Sequence, residues 1–308
     1  MPDPKVVISE FMDEGAVSRL AERFETLYDP ALVDQPEELA QALDGAQALI
    51  VRNRTQVRGD LLAAGGALQA VGRLGVGLDN IDLEACAARG IDVYPATGAN
   101  DASVAEYVLT AALMLRRGAW LRSSDVAAGD WPRQAMMGAE LGGVTFGLLG
   151  FGSIAREVAA RAEPFGVNLI AHDPFLAEDD PAWGGVQPVS QDALFGRSDV
   201  LSLHVPLTDS TRHVVDGEAL AAMPRGGIVI NAARGGVVDE AALCAALRSG
   251  YLGGAALDVF EHEPLDSTAG AAFKGLNVLL TPHIAGVTEE SNVRVSHLVA
   301  DKILAKLG

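Results

Sequence analysis

The chain has 308 residues, nearly half of them hydrophobic, and a net charge of −18 at neutral pH. That length exceeds what one core normally organises, so two domains are expected. The acidity argues against a nucleic-acid partner, no run of about 18 uncharged apolar residues is present to span a membrane, and Cys86 and Cys244 alone make no disulfide scaffold.

The N-terminus, MPDPKVVISE, lacks the basic-then-apolar order of a signal peptide, so a reducing cytoplasm is the expected location. Lysine occurs only at Lys5, Lys274, Lys302 and Lys306. Such acidity fits ordinary solubility or a high-salt habitat alike.

KVVIS (5–9) reads as a strand and EGAVSRLAERF (14–24) as a helix, followed by strands at 24–29, 47–52, 68–75 and 91–95. This alternation predicts a parallel α/β layer. SVAEYVLTAALMLRRG (103–118) predicts a helix opened by a Ser103/Glu106 capping box and closed at Gly118, with Arg116 and Arg117 in its last turn. Its middle is apolar almost all round, which predicts burial between domains or against a second copy of the chain, hence a homodimer. Further strands are expected at 144–149, 167–171, 199–203, 227–231, 254–258 and 277–281, with helices between them. Six strands with crossover helices suit a doubly wound nucleotide-binding sheet. The last 20 residues form one amphipathic helix, which would make the first domain discontinuous if it packed there.

Gly150 and Gly152 lie between the strand VTFGLL and the helix SIAREVAARAE. Strand, tight turn and helix is the setting of a dinucleotide loop: one glycine for the turn, a second for approach of the pyrophosphate, helix-start amides at Ser153 and Ile154 for its charge. Ala155 stands where many such loops have the third glycine. Asp173 ends the next strand, 23 residues beyond Gly150, where a carboxylate can take the ribose hydroxyls. With Pro174 and Phe175 beside it and no basic residue, NAD is favoured over NADP.

Polar residues also end apolar strands: Arg234 after IVINAA, Asp258 in AALDVF with Glu263 shortly after, and His283 in NVLLTPH. All lie at carboxyl ends of strands, where open α/β sheets bind ligands. The six histidines show no metal-ligand spacing.

With these stretches the chain resembles the D-isomer-specific 2-hydroxyacid dehydrogenase family. The resemblance runs through GVGLDNIDLEACAARGIDV (75–93), SVAEYVL (103–109), GLLGFGSIAREVA (147–159), HVPLTDSTRHVV (204–215), INAARGGVVDEAAL (230–243), GAALDVFEHEPL (254–265) and TPHIAGVT (281–288). It implies an α/β fold of two domains, each a parallel sheet flanked by helices. A Rossmann-type nucleotide domain (99–285) is inserted into a flavodoxin-like substrate domain (1–98 plus 286–308).

It also implies NAD as cofactor, a small 2-hydroxy or 2-oxo acid as substrate, and site roles. Arg234 binds the substrate carboxylate and carbonyl, His283 is the acid–base, and Glu263 is its partner. Imidazole exchanges a proton near neutrality, an adjacent carboxylate orients the ring, and a guanidinium forks a carboxylate. The cofactor pocket would comprise Gly150, Gly152, Ser153, Ile154, Asp173, His204, Val205, Pro206, Thr208, Ala232, Asp258, His283 and Gly286. Val76 and Gly77 would take the substrate carboxylate on backbone amides.

VRNRTQV (51–57) stands where phosphoglycerate-type members carry a basic, threonine-bearing loop. Arg52, more than Arg54, is expected to face a second anionic group on the substrate, as in 3-phosphoglycerate or sulfolactate. Arg73 and Arg116 are further candidates for the cleft. The regulatory domain appended to some phosphoglycerate members is not expected. Alternatives are a glyoxylate/hydroxypyruvate reductase, a non-catalytic NAD-sensing corepressor, and formate dehydrogenase, which has glutamine where Glu263 stands.

Overall fold

The computed structural model describes residues 4–308. It divides into two compact units, one running to Asn100 and resuming at Val287–Gly308, the other comprising Asp101–Gly286. The first unit carries strands β1 (Lys5–Ile8), β2 (Glu25–Tyr28), β3 (Ala46–Val51), β4 (Ala70–Arg73) and β5 (Asp92–Pro95). Between them run helices α1 (Glu14–Ala21), α2 (Pro36–Ala42), α3 (Gly59–Ala64) and α4 (Leu83–Ala88). All pairings are parallel, in the order β2-β1-β3-β4-β5, the flavodoxin-like arrangement. Val6, Ile8 and Ile50 feed a core on one face, and Val7, Leu49 and Val51 a core on the other. Burial on both faces is why these strands are unbroken apolar runs. Asp13 and Asp82 cap α1 and α4 by accepting from Ala16 N and Ala85 N.

The second unit opens with α5 (Asp101–Arg117) and α6 (Ser123–Ala127). Strand β6 (Thr145–Leu149) leads through α7 (Ser153–Ala162) to β7 (Asn168–His172) and β8 (Gln187–Pro188). There follow α8 (Gln191–Arg197), β9 (Val200–Leu203), α9 (Gly217–Ala222) and β10 (Ile228–Asn231). The series closes with α10 (Glu240–Arg248), β11 (Gly254–Leu257), α11 (Ser267–Gly270) and β12 (Val278–Leu280). This sheet is also wholly parallel, ordered β12-β11-β10-β9-β6-β7-β8. Its strand order reverses between β6 and β9, the switch point at which doubly wound sheets bind ligands.

Two expectations are corrected. Helix α5 starts at Asp101, so Ser103 and Glu106 lie inside it rather than forming its capping box, and Ser103 is buried. The apolar girth of α5 is accommodated within its own unit, against α7, β10 and β11. Gly118, with φ of 58°, ends it as expected. Arg116 is turned to the Glu140 carbonyl, which both its Nε and Nη2 address. The short β8 has no counterpart in the sequence reading.

The final helix α12 (Glu289–Leu307) returns to the first unit, where Val295, Val299 and Ile303 join its core. Gly72 in β4 permits this contact, because a Cβ there would lie 2.5 Å from Val299 Cγ1. Thr288 and Ser291 form the capping box of α12.

Candidate active site

At the β6/β9 switch point the turn after β6 is dictated by its glycines. Gly150 has φ of 85°, and a Cβ there would lie 2.7 Å from the His204 carbonyl and 2.9 Å from Val205 Cγ1. Only glycine lets the loop after β6 and the loop after β9 pass so closely. A Cβ on Gly152 would meet nothing within 4 Å, and no side chain caps α7. The exposed first-turn residues Gly152 and Ser153, with Ile154 half-buried, therefore present amides to open space at the positive end of the helix. Ala155 is fully buried against the core, so its methyl is accommodated.

Asp173 follows β7 and braces this loop, accepting Phe151 N and Phe175 N at 2.9 Å each. A carboxylate has further acceptor capacity for ribose hydroxyls. Its neighbours Pro174 and Phe175 are exposed and carry no positive charge for a 2′-phosphate. The loop, the uncapped helix start and the acidic strand end thus fit NAD.

After β9, His204 is partly buried, with Nε2 3.0 Å from the Ser202 hydroxyl. Burial pushes its pKa down to about 4, so the ring is neutral at physiological pH. Val205 and Pro206 continue the same strand-tip loop. The Thr208 hydroxyl is engaged within its own turn, 3.0 Å from both Ser210 and Thr211.

Arg234, Glu263 and His283 come together on the second unit. Glu263 Oε2 lies 2.8 Å from His283 Nδ1, and Oε1 accepts Phe260 N at 3.0 Å. Burial alone would raise the Glu263 carboxyl, but the His283 hydrogen bond and charge, the Phe260 amide and the Arg234 charge outweigh it and hold its pKa below the ordinary value. An ionised carboxylate at Nδ1 fixes the hydrogen there and leaves Nε2 to exchange a proton.

The backbone of His283 is left-handed, with φ of 58°, a conformation that persists in a non-glycine residue only where its surroundings enforce it. Asp258, 1% exposed, provides that enforcement. Its carboxylate accepts Thr281 Oγ1 at 2.6 Å and the amides of Ile284 and Ala285 at 2.8 Å, while its carbonyl accepts His283 N. Gly286 directly follows this turn.

Sequence reasoning missed the residue that shapes the Arg234 turn. Asn231, buried at the tip of β10, accepts Ala233 N and donates to the Arg234 carbonyl. An asparagine ending an apolar strand was its only signal. Ala232 lies within that turn. Gly235 lets it approach β11's exit, since a Cβ there would lie 1.7 Å from the Phe260 carbonyl.

Arg52, Val76 and Gly77 belong to the first unit, at the tips of the adjacent strands β3 and β4. Glu10, beyond β1 and 5% exposed, organises the Arg52 loop by accepting the amides of Arg52, Arg54 and Thr55. The two arginines then differ. Arg54 is ion-paired with Asp34. The Arg52 guanidinium addresses the Phe11 carbonyl at 3.3 Å and Asn292 Oδ1 at 2.9 Å, both neutral, and lies 5.8 Å from the Phe11 ring centre. Arg73 bonds the Leu74 carbonyl.

Three comparisons bear on this arrangement. The sequence pattern described as "D-isomer specific 2-hydroxyacid dehydrogenase, NAD binding domain" matches residues 109–285. A Chromohalobacter salexigens protein named (S)-sulfolactate dehydrogenase is 55% identical over 305 residues, covering 98% of each chain. A Thermotoga maritima hydroxypyruvate reductase is 39% identical, covering 99% of this chain and 98% of its own length. A Mycobacterium leprae D-3-phosphoglycerate dehydrogenase is also 39% identical, but only 56% of its length is matched. Among solved structures, a Thermus thermophilus protein superposes with a TM-score of 0.88 at 32% identity, over 98% of this chain and 96% of that one. A Paecilomyes thermophila glyoxylate reductase gives 0.87 at 29%, over 100% and 96%.

Proposed function

The chain belongs to the D-isomer-specific 2-hydroxyacid dehydrogenases, and from that premise we propose that its substrate is a three-carbon 2-hydroxy acid bearing a second anionic group, 3-sulfolactate foremost. The family's reaction is hydride transfer between NAD(H) and C2 of a 2-hydroxy or 2-oxo acid, and this chain is an NAD-dependent enzyme of that class. The observation that carries the substrate reading is the Arg52 guanidinium, which among the described residues forms no ion pair while its neighbour Arg54 is neutralised. A positive charge kept at a strand tip of so acidic a chain favours an anion. The hand is consistent too. Sulfur outranks oxygen in the priority rules, so the S label of sulfolactate and the D label of lactate or glycerate name the same configuration at C2.

When bound, NAD(H) supplies or takes the hydride at C2. Gly150, Gly152, Ser153 and Ile154 would receive its pyrophosphate, Asp173 its ribose, and His204, Val205, Pro206, Thr208, Ala232, Asp258 and Gly286 would line the remainder. Arg234 and the amides of Val76 and Gly77 bind the substrate carboxylate, and Arg234 polarises the C2 carbonyl. His283 Nε2 gives a proton to the carbonyl oxygen in reduction and takes one from the C2 hydroxyl in oxidation. Glu263 stabilises the imidazolium that oxidation leaves behind. Arg52 takes the sulfonate.

The test is an NADH-oxidation panel with 3-sulfopyruvate, phosphohydroxypyruvate, hydroxypyruvate, glyoxylate and pyruvate. Wild type is expected to prefer 3-sulfopyruvate over pyruvate, and Arg52→Ala to lower kcat/KM for 3-sulfopyruvate about 100-fold while leaving pyruvate within threefold. An unchanged preference in Arg52→Ala removes the assignment, and a wild-type preference for hydroxypyruvate or glyoxylate favours the reductase reading instead.

We also infer a cytoplasmic homodimer. Cys86 and Cys244 are free and buried, which fits a reducing compartment. Leu121, Trp131 and Met137 are exposed along residues 119–140, where a second copy would cover them. Sedimentation as a single chain would refute the dimer.

A further inference from the structure

We infer that Tyr107, acting through Thr281 and Asp258, is a positioning residue for His283. The inference rests on the acid–base reading of His283 and adds a group that lies outside the proposed set of binding and catalytic side chains.

The Tyr107 hydroxyl lies 2.6 Å from Thr281 Oγ1, and Thr281 Oγ1 donates to Asp258 Oδ1 at 2.6 Å. A threonine hydroxyl has one hydrogen, and here it is committed to the carboxylate. Tyr107 is therefore the donor to Thr281, and the chain runs in one direction, from helix α5 to a buried anion. Burial raises the pKa of the Tyr107 hydroxyl against the opposing Thr281 hydrogen bond, so the phenol remains a donor.

That anion grips the backbone around His283 from both sides: the side chain of Thr281 before it, the amides of Ile284 and Ala285 after it, and His283's own amide through the Asp258 carbonyl. Thr281 supplies the one side-chain donor among the three that hold the Asp258 carboxylate, so its placement bears on the orientation of that carboxylate. Thr281 is itself turned by Tyr107. The left-handed backbone that points the imidazole at Glu263 is thus fastened at its remote end to a different element of the unit, α5. A loosened turn leaves the residues present and misplaces the ring, which lowers the rate of proton transfer with little effect on binding.

The experiment measures kcat, KM for the best 2-oxo acid and NADH Kd for wild type, Tyr107→Phe, Thr281→Val, Thr281→Ser and His283→Ala, with the tyrosine and valine changes repeated in the His283→Ala background. Expected are a kcat loss of about tenfold for Tyr107→Phe and about 50-fold for Thr281→Val, both KM and NADH Kd within about twofold, and near-complete recovery in Thr281→Ser. Both losses should vanish in the His283→Ala background, because a residue acting through His283 has nothing left to position. Tyr107→Phe keeps the ring and its packing, so it carries the test if Thr281→Val does not fold. Unchanged kcat in Tyr107→Phe and Thr281→Val alike, or losses that persist undiminished without His283, would overturn the inference. Wild-type turnover in His283→Ala would instead overturn the acid–base reading on which it stands.

Discussion

Among the described residues, two besides the glycines have left-handed backbones, and both are histidines facing a glutamate of one loop. His283 (φ 58°) meets Glu263 at 2.8 Å, and His213 (φ 50°) meets Glu261 at 3.1 Å. Their surroundings separate them. Glu263 also accepts the Phe260 amide and feels the charge of Arg234, and His283 hangs from the buried Asp258 beyond the tip of β12. Glu261 instead accepts the amide of Glu240, whose carboxylate accepts the Glu261 amide in return, and the His213 amide goes to the Gly236 carbonyl. One pair faces a guanidinium at a strand tip; the other ties loop to loop. A histidine–carboxylate contact, even with a strained backbone, does not define a catalytic site without a third group at which the reacting atom can sit.

The largest expected effect breaks the first pair. His283→Ala should lower kcat/KM about 1,000-fold, the usual worth of a positioned acid–base, with NADH affinity nearly unchanged. Glu263→Gln keeps the shape and removes the charge, and should cost about 30-fold in kcat. Steady-state kinetics with fluorescence titration of NADH checks both. Loss of NADH binding in His283→Ala would mean that the residue holds the cofactor rather than the proton.

Much of this site was legible because parallel strands buried on both faces are apolar throughout, so a polar residue at their ends stands out. Arg234, Asp258 and His283 were found in that way. Arg52 was preferred to Arg54 from the sequence, but the contacts that separate the two were not legible there, because they involve Asp34, Phe11 and Asn292, of which Asn292 lies 240 residues from Arg52 in the chain. The Tyr107–Thr281 contact spans 174 residues and leaves no local trace. The start of α5 was misplaced because a serine three residues before a glutamate satisfies the capping pattern equally well inside a buried helix. The two-residue β8 is too short to show a period.

A third histidine sharpens the comparison from the opposite side. His204 faces a serine instead of a carboxylate, and burial alone acts on it. Between about pH 6.5 and about 4 the unfolded chain takes up a proton that folded His204 refuses, so more protons are bound in the unfolded state and stability falls as pH falls through this window. Chemical denaturation at pH 7 and pH 5 should reveal a loss of about 2 kcal/mol from this group, absent in His204→Gln. Equal pH dependence of variant and wild type would show that the ring is hydrated and free to titrate.

The smallest expected effect tests whether the second pair is as inert as its surroundings imply. The His213 and Glu261 side chains are 40% and 30% exposed, so their attraction is screened and worth less than about 1 kcal/mol. His213→Ala should therefore leave kcat and KM within about twofold and lower the melting temperature by a few degrees at most. The glutamate loop gives the experiment its edge, because Glu261 and Glu263 are two residues apart. If the His213 contact set the position of Glu263, its removal would slow turnover without affecting NADH affinity, as Glu263→Gln is expected to do. A loss beyond tenfold would make His213 part of the support of the His283–Glu263 pair, and the two histidines would then be one device with two anchors.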